Sequence, residues 1–271
     1  MLRYILKRIL LMIPVLLGIV VIVFTLMYVG GGDPTISILG ENVTPEAQAE
    51  IREELGLDDP YLVRLGNYLL DLLHGDLGQS YSENRPVVEA IQDRLPRTLE
   101  LAAAALVLAC IIGIPLGIIS AVRRGGFVDL GLTLISSLGN SVPVFVMGYL
   151  LVLIFALTFQ VLPSSGYVPV ARGLENHLLR LILPAVALAF GVAASILRMT
   201  RSSMLESLGS ESVRPLRAKG LSKRKVYLKH VMRNMLIPVV TIIGLQLGNL
   251  IAGTVLCEAV FNWPGIATLL V

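Results

Sequence analysis

Five long stretches of this chain contain no charged residue, and they place the strongest limit on its fold. They comprise residues 9–29, 101–122, 130–162, 181–197 and 235–257. A helix rises about 1.5 Å per residue, so about 20 residues cross the roughly 30 Å hydrocarbon core of a bilayer. The 271 residues are 55% hydrophobic and only 15% charged, whereas soluble domains are about 25% charged. We therefore predict an all-α, polytopic transmembrane helical bundle with five spans.

The first stretch is expected to stay in the protein as a transmembrane helix. At 21 residues it is longer than the apolar region of a secretory signal, and no Ala-x-Ala-like cleavage site follows it. Residues 1–29 are therefore predicted to form an N-terminal tail and the first span.

The 33-residue stretch 130–162 admits two interpretations, a single kinked span or a helical hairpin around residues 139–143. Basic residues cluster near the N-terminus, at Arg123 and Arg124, and in 198–233, which holds ten Lys or Arg. Because basic loops favour the cytoplasmic side, all three clusters are expected there, and only a single pass satisfies this. We predict one span kinked at Pro143, with the N-terminus in the cytoplasm.

Residues 30–96 are then extracytoplasmic and strongly acidic, with thirteen Asp or Glu against four Arg. Thr44 followed by Pro45 is typical of a helix start, and apolar residues at helical spacing predict amphipathic helices over 46–55 and 61–73. The acidic stretch 41–93 is a candidate contact for an external protein, and a solvated acidic face is an equally good interpretation.

The sequence lacks the common motifs for nucleotide hydrolysis, metal-dependent proteolysis and serine hydrolase activity. It contains no phosphate-binding loop, no His-Glu-x-x-His and no Gly-x-Ser-x-Gly. Its three histidines are scattered, and its two cysteines lie in apolar runs, so neither a metal site nor a disulfide framework is predicted. The net charge of +3 is too small to indicate nucleic-acid binding. Because ion-coupled carriers carry charged residues at mid-membrane, the charge-free spans disfavour a secondary carrier.

A few uncharged polar residues within the spans are candidates for lining a pathway. Gln246 and Asn249 lie three residues apart on one face of the last span, and Asn140 and Ser141 lie in the third. Hydrogen bonding between helices explains such residues more often than a pathway does, and both interpretations stay open.

The cytoplasmic segment 198–234 contains two helical pieces separated at Gly220, Leu221 and Ser222. Ser222 is a candidate cap for the second piece. One interpretation is a solvated basic loop beside anionic headgroups. The other is a docking element for a cytoplasmic partner, since a short helix with an apolar face and basic flanks fits a protein groove.

Short motifs occur in order along the whole chain. They are Gly32-Asp33-Pro34, Leu55–Pro60, Gly75–Gly78, Arg94–Leu101, Gly113–Gly117, Arg217–Ser222, Arg233-Asn234, Leu236–Pro238, Glu258 and Phe261–Gly265. In their sequence and spacing they resemble the dipeptide/oligopeptide/nickel permease family of bacterial ABC importers, and residues 97–271 correspond to its permease core.

The resemblance implies a type I importer permease, a non-enzymatic transport subunit in the bacterial inner membrane. Its implied partners are a second homologous permease, two cytoplasmic ATPases, an extracytoplasmic solute-binding protein and the surrounding lipid bilayer. ATP and Mg²⁺ would bind the ATPases, with no cofactor in this chain. The family's coupling glycine corresponds to Gly220, and the neighbouring ATPase-contacting residues to Leu216, Arg217, Ala218, Lys219 and Leu221. Di- or oligopeptides are the expected substrates, with a nickel chelate or glutathione as alternatives. A secondary carrier or a non-transporting membrane scaffold are the alternative functions.

The sequence departs from the family pattern at two points. Ser212, Val213, Arg214, Pro215 and Leu216 stand where the family has an aromatic residue followed by Val-Arg-Thr-Ala. Because proline disturbs a helix interior but is tolerated in a first helical turn, either the coupling helix starts near Pro215 or ATPase docking is altered. Family members have a sixth span after the Trp-Pro-Gly loop, and the sequence ends at Val271, so a C-terminal truncation is expected.

Overall fold

The computed structural model describes residues 2–30, 35, 39, 44–80, 83, 85–210, 222 and 225–269. By packing, the chain divides into two compact units, Met1–Ile91 and Gln92–Val271. In the first unit, the described residues form three helices and one antiparallel pair of very short strands. These are α1 (Leu2–Gly30), α2 (Pro45–Glu54), α3 (Tyr61–Leu73), β1 (Gln79–Ser80) and β2 (Arg85–Pro86), with Gln79 opposite Pro86 and Ser80 opposite Arg85.

Long helices make up nearly all of the second unit. They are α4 (Val87–Val122), whose first turn belongs to the first unit, α5 (Phe127–Ser141), α6 (Val144–Leu151, continued as the π-helix Val152–Thr158), α7 (Leu174–Gly209) and α8 (Met232–Phe261). Short helical turns at Val170–Arg172, Val226–Val231 and Ile266–Leu269 complete the described part of this unit. The all-α prediction is confirmed, and the strand pair that sequence patterning missed involves only four residues.

Helices α1, α4, α7 and α8 are long and apolar enough to cross a membrane. At about 1.5 Å per residue, the 36-residue α4 and α7 are longer than a bilayer core is thick. Both continue past the charge-free stretches 101–122 and 181–197, so they carry polar turns beyond the apolar segments. Thr44 caps α2 as the sequence predicts, because its hydroxyl accepts the Ala47 N–H at 3.3 Å.

The stretch 130–162 breaks at Pro143, where α5 and α6 meet at an angle of 107°. Proline lacks an N–H and forces the preceding residue out of the helical region, and Val142 has an extended conformation with ψ of 120°. The pair passes the length and hydropathy criteria as one broken span or as a re-entrant loop. The position of the break agrees with the sequence, and the single crossing stays a prediction.

Helix α7 lies at the centre of the second unit and packs through small residues. A Cβ built on Gly113 or Gly117 of α4 would lie 2.8 Å from the Ala193 carbonyl oxygen or 2.6 Å from the Thr200 Cβ. On the other side, a Cβ on Gly139 of α5 would lie 2.7 Å from the Ala194 Cβ. Glycines at these crossings allow the backbones to approach closely, which is how helices gain packing contacts in lipid.

Candidate functional site

The residues that the family resemblance assigns to ATPase contact, 216–221, lie outside the described residues, as do Ser212 and Pro215. The structure describes the two ends of the segment that carries them. Helix α7 ends at Gly209, and after the gap the carbonyl of Ser222 accepts the N–H groups of Lys225 and Val226 at 3.0 and 3.1 Å. A new helical turn thus begins at Ser222, the residue that the sequence predicts as its cap.

An ion pair ties α7 to the turn between α4 and α5 shortly before this segment. Asp129 lies in the first turn of α5 and is only 5% exposed. Its carboxylate accepts two hydrogen bonds from Arg201 of α7, at 2.7 Å from Nε and 2.8 Å from Nη2. The Ser120 hydroxyl and the Gly125 N–H donate the other two, at 2.5 and 2.9 Å. Two-point recognition of this kind fixes orientation as well as distance.

A small apolar cluster holds both ends of the segment that carries residues 216–221 against the bundle. Met204 of α7 packs with Val226 and Val231, which follow the segment, and with Ala121 at the end of α4. All four side chains are at most 3% exposed. Displacement of either end of the segment therefore has to move α7 or disrupt this packing.

The candidate lining residues of the third span connect to α7. Asn140 accepts a hydrogen bond from the Ser195 hydroxyl at 2.8 Å and donates to the Ser136 carbonyl at 2.8 Å. The Ser141 hydroxyl donates to the Ser137 carbonyl at 2.9 Å. Asn140 and Ser141 are both exposed on the surface of the chain, as a pathway lining or a subunit contact requires.

The other candidate pair is divided between the interior and the surface of α8. The Asn249 amide donates to the Gln246 side-chain carbonyl at 2.8 Å, but Gln246 is only 8% exposed while Asn249 is exposed. Gln246 thus orients Asn249 from within the bundle. Among the described residues, no hydrogen bond connects this pair to Asn140 or Ser141.

Two motifs far apart in the sequence meet around the buried carboxylate of Glu258. Its oxygens accept the Thr98 hydroxyl at 2.7 Å and the Ala267 N–H at 2.8 Å, and Thr98 in turn accepts the Ile266 N–H at 2.9 Å. A side chain at Gly265 would overlap this carboxylate. The final described turn of the chain is thereby fixed against α4.

Trp263 packs beside these contacts, against Arg97 and Tyr167. It is fully buried, its indole N–H donates to the Arg97 carbonyl at 3.1 Å, and its ring is nearly perpendicular to that of Tyr167 with the centroids 4.8 Å apart. The Arg97 guanidinium lies 5.2 Å above the Tyr167 ring. His177 of α7 adds a contact with Glu100 of α4, in which its Nε2 lies 2.7 Å from a carboxylate oxygen. We call Thr98, Glu258, Trp263 and Gly265 the end lock.

Sequence reasoning identified both motifs of the end lock but not their contact. One signal was available: Glu258 directly follows a charge-free span, where an acidic residue needs hydrogen-bond donors if it is buried. The adjoining Trp263-Pro264-Gly265 turn supplies a large apolar cover and a position that only glycine fits.

The sequence is similar to known proteins over nearly its full length. Residues 113–271 match the family described as binding-protein-dependent transport system inner membrane component, and residues 1–102 match the N-terminal family of the same membrane components. The dipeptide transport system permease protein DppB of Alkalihalophilus pseudofirmus is 40% identical over 98% of this chain and 86% of its own length. DppB of Escherichia coli K12 is 37% identical over 100% of this chain and 87% of its own length.

Proposed function

The chain belongs to the inner-membrane permeases of binding-protein-dependent ABC importers, and we propose that it forms half of a translocation pathway for di- or oligopeptides. The observation that carries the substrate proposal is its similarity, over nearly its entire length, to permeases named for dipeptide transport. Membership of this family makes the chain a multi-pass membrane subunit that works with an ATPase and a substrate-binding protein.

The proposed assembly contains one further homologous permease, two cytoplasmic ATPases and one extracytoplasmic solute-binding protein. The ATPases bind ATP and Mg²⁺, and this chain binds no cofactor. The N-terminus lies in the cytoplasm, which places the ten basic residues of 198–233 on the ATPase side. The acidic residues of 30–96 then face the solute-binding protein.

The proposed mechanism transmits ATPase closure through residues 216–221, with Gly220 at the contact. Closure displaces the segment, and the segment is anchored to the bundle at Met204 and Val226. Because α7 packs against α4, α5 and α8, its movement changes the arrangement of the spans together. ATP can shift the equilibrium between the inward-facing and outward-facing states only if it binds more strongly to one state than to the other.

The proposed pathway surface includes Asn140, Ser141 and Asn249, with Gln246 supporting Asn249. These side chains are neutral, and they can donate to or accept from the backbone of a peptide. Neutral hydrogen-bonding groups suit a pathway that releases its substrate, because they bind peptides of many sequences without the cost of desolvating a fixed charge.

Reconstituted transport tests the substrate. The complete transporter in proteoliposomes, with its binding protein on the opposite side, is expected to move a radiolabelled dipeptide across the membrane only when ATP is present on the side that carries the ATPases. Uptake of a nickel chelate or of glutathione, with no dipeptide uptake, would overturn the peptide assignment and leave the family assignment intact.

A substitution at the coupling glycine tests the mechanism. Gly220→Leu is expected to abolish peptide uptake while the ATPases still hydrolyse ATP, because a bulky side chain alters the contact that transmits closure. Gly18→Leu is the matched control, since nothing lies within 4 Å of a Cβ at Gly18. Full uptake by Gly220→Leu would show that coupling occurs elsewhere.

A further inference from the structure

Helix α3 exposes apolar and polar side chains on different parts of its surface. Successive residues of a helix are about 100° apart, which places Leu62, Val63, Leu70 and Leu73 within one arc. These four side chains are 76%, 46%, 56% and 82% exposed, respectively. Asn67 and Asp71, which are also exposed, lie about 120–180° from Leu62 and Leu73 and about 40–80° from Val63. So much exposed leucine on a short helix indicates a surface that is covered in the working protein.

The side of α3 that points away from Val63 and Leu70 packs on the last turns of α1, within the same compact unit. Aromatic rings make most of the contact: Phe24 lies 5.4 Å from Tyr68 and 5.9 Å from Tyr61, and Tyr28 lies 5.2 Å from Tyr61. A hydroxyl–hydroxyl hydrogen bond and a cation–π contact fix the orientation of α3 on α1. Thr25 and Tyr61 hydroxyls are 2.7 Å apart, and the Arg64 guanidinium lies 5.4 Å from the centre of the Tyr28 ring.

This packing determines the depth of α3 in the membrane. The apolar stretch of α1 ends at Val29, before three glycines, so Phe24 lies about 8 Å and Tyr28 about 2 Å inside that end, measured along the axis at about 1.5 Å per residue. Interfacial helices place their apolar face about 5–10 Å into the headgroup–acyl boundary. Tyrosine rings are also enriched at this depth. Contact with Phe24 and Tyr28 therefore holds α3 at the interface.

We propose that α3 is an interfacial membrane anchor whose Leu62, Val63, Leu70 and Leu73 face enters the leaflet at the carboxyl end of α1. Lipid is the favoured occupant because the surface is continuous with α1, whose apolar window has no buried residue in the chain. The single Arg64 and Asp71 on the helix have opposite charges, so insertion depends on apolar contact and not on anionic headgroups. The anchor goes beyond the proposed transport function, since it holds for any substrate.

Site-directed spin labelling of the assembled transporter in phosphatidylcholine nanodiscs tests the proposal. Nitroxides are attached at Leu73→Cys or Leu62→Cys on the apolar face, and at Asn67→Cys or Asp71→Cys as matched controls on the same helix. The background carries Cys110→Ala, while Cys257 is 1% exposed and stays unlabelled. The measurement is the accessibility of each label to oxygen, which partitions into lipid, relative to a water-soluble nickel chelate.

Labels at 62 and 73 are expected to collide more with oxygen than with the nickel chelate, and labels at 67 and 71 the reverse. Replacing part of the phosphatidylcholine with phosphatidylglycerol is expected to leave this pattern unchanged. Nickel accessibility at 62 and 73 equal to that at 67 and 71 would overturn the anchor. Protection of 62 and 73 that appears only after the solute-binding protein is added would assign the face to that protein instead of to lipid.

Discussion

Removal of the Arg201 guanidinium should destabilise the second unit by leaving Asp129 charged and under-coordinated. In Arg201→Met, the Asp129 carboxylate loses two of its four hydrogen bonds while it stays enclosed at 5% exposure. Deleting one partner of a fully buried ion pair costs about 3–5 kcal/mol. The Arg201 side chain is 29% exposed, so water replaces part of what is lost, and we expect a cost of about 2–3 kcal/mol.

A double-mutant cycle separates the ion pair from general damage to α7. Adding Asp129→Asn to Arg201→Met removes the unpaired charge, while the amide oxygen still accepts from Ser120 or Gly125. The double variant should therefore be more stable than Arg201→Met alone by about 1 kcal/mol. Arg198→Met is the control, because Arg198 is an exposed residue of the same helix, and it should change stability by less than about 0.5 kcal/mol.

Unfolding in mixed micelles, followed by Trp263 fluorescence, measures these free energies. Trp263 is the single tryptophan of the chain and is fully buried in the folded bundle, so its emission reports on the second unit. Strictly additive effects of the two substitutions would refute the claim that Asp129 and Arg201 act as a pair.

Three further predictions concern packing and the candidate pathway. Gly117→Leu should cost at least about 1–3 kcal/mol in the same unfolding assay, because its Cβ meets α7 backbone, whereas Gly131→Leu, which meets open space, should cost little; equal losses would contradict this. Glu258→Ala should lower the free energy of unfolding by about 2–4 kcal/mol, because it leaves buried donors unpaired. An unchanged midpoint in a thermal melt would contradict this. Asn140→Leu should slow ATP-driven peptide uptake in proteoliposomes without changing assembly; an unchanged rate would exclude Asn140 from the pathway.

The spans were predictable from sequence because lipid requires long apolar helices whatever their neighbours. The break at Pro143 was predictable for a local reason, the missing N–H. The ends of α4 and α7 were not, since turns beyond the bilayer core can include charged residues and leave no boundary in a hydropathy pattern. The strand pair at Gln79–Ser80 and Arg85–Pro86 is too short to produce an alternating pattern.

The candidate site was less predictable, because it depends on contacts between distant segments. Gln246 and Asn249 are three residues apart, which separates them by about 60° around the helix, and this is enough to bury one and expose the other. The contact of Glu258 with Thr98 joins positions 160 residues apart, which local pattern cannot indicate. The roles of residues 216–221 come from family resemblance, and they stay predictions because these residues lie outside the described ones.

Co-purification tests the central claim, that this chain is the permease of an ATPase-driven importer, most directly. The tagged chain is solubilised from membranes of its host and isolated beside a variant in which residues 217–221 are replaced by a Gly-Ser linker. The intact chain is predicted to bring down a second permease and a stoichiometric ATPase pair, and the variant to retain the permease and lose the ATPases. Recovery of the ATPases with both proteins would contradict coupling through this segment, and their absence from both would contradict the assembly itself.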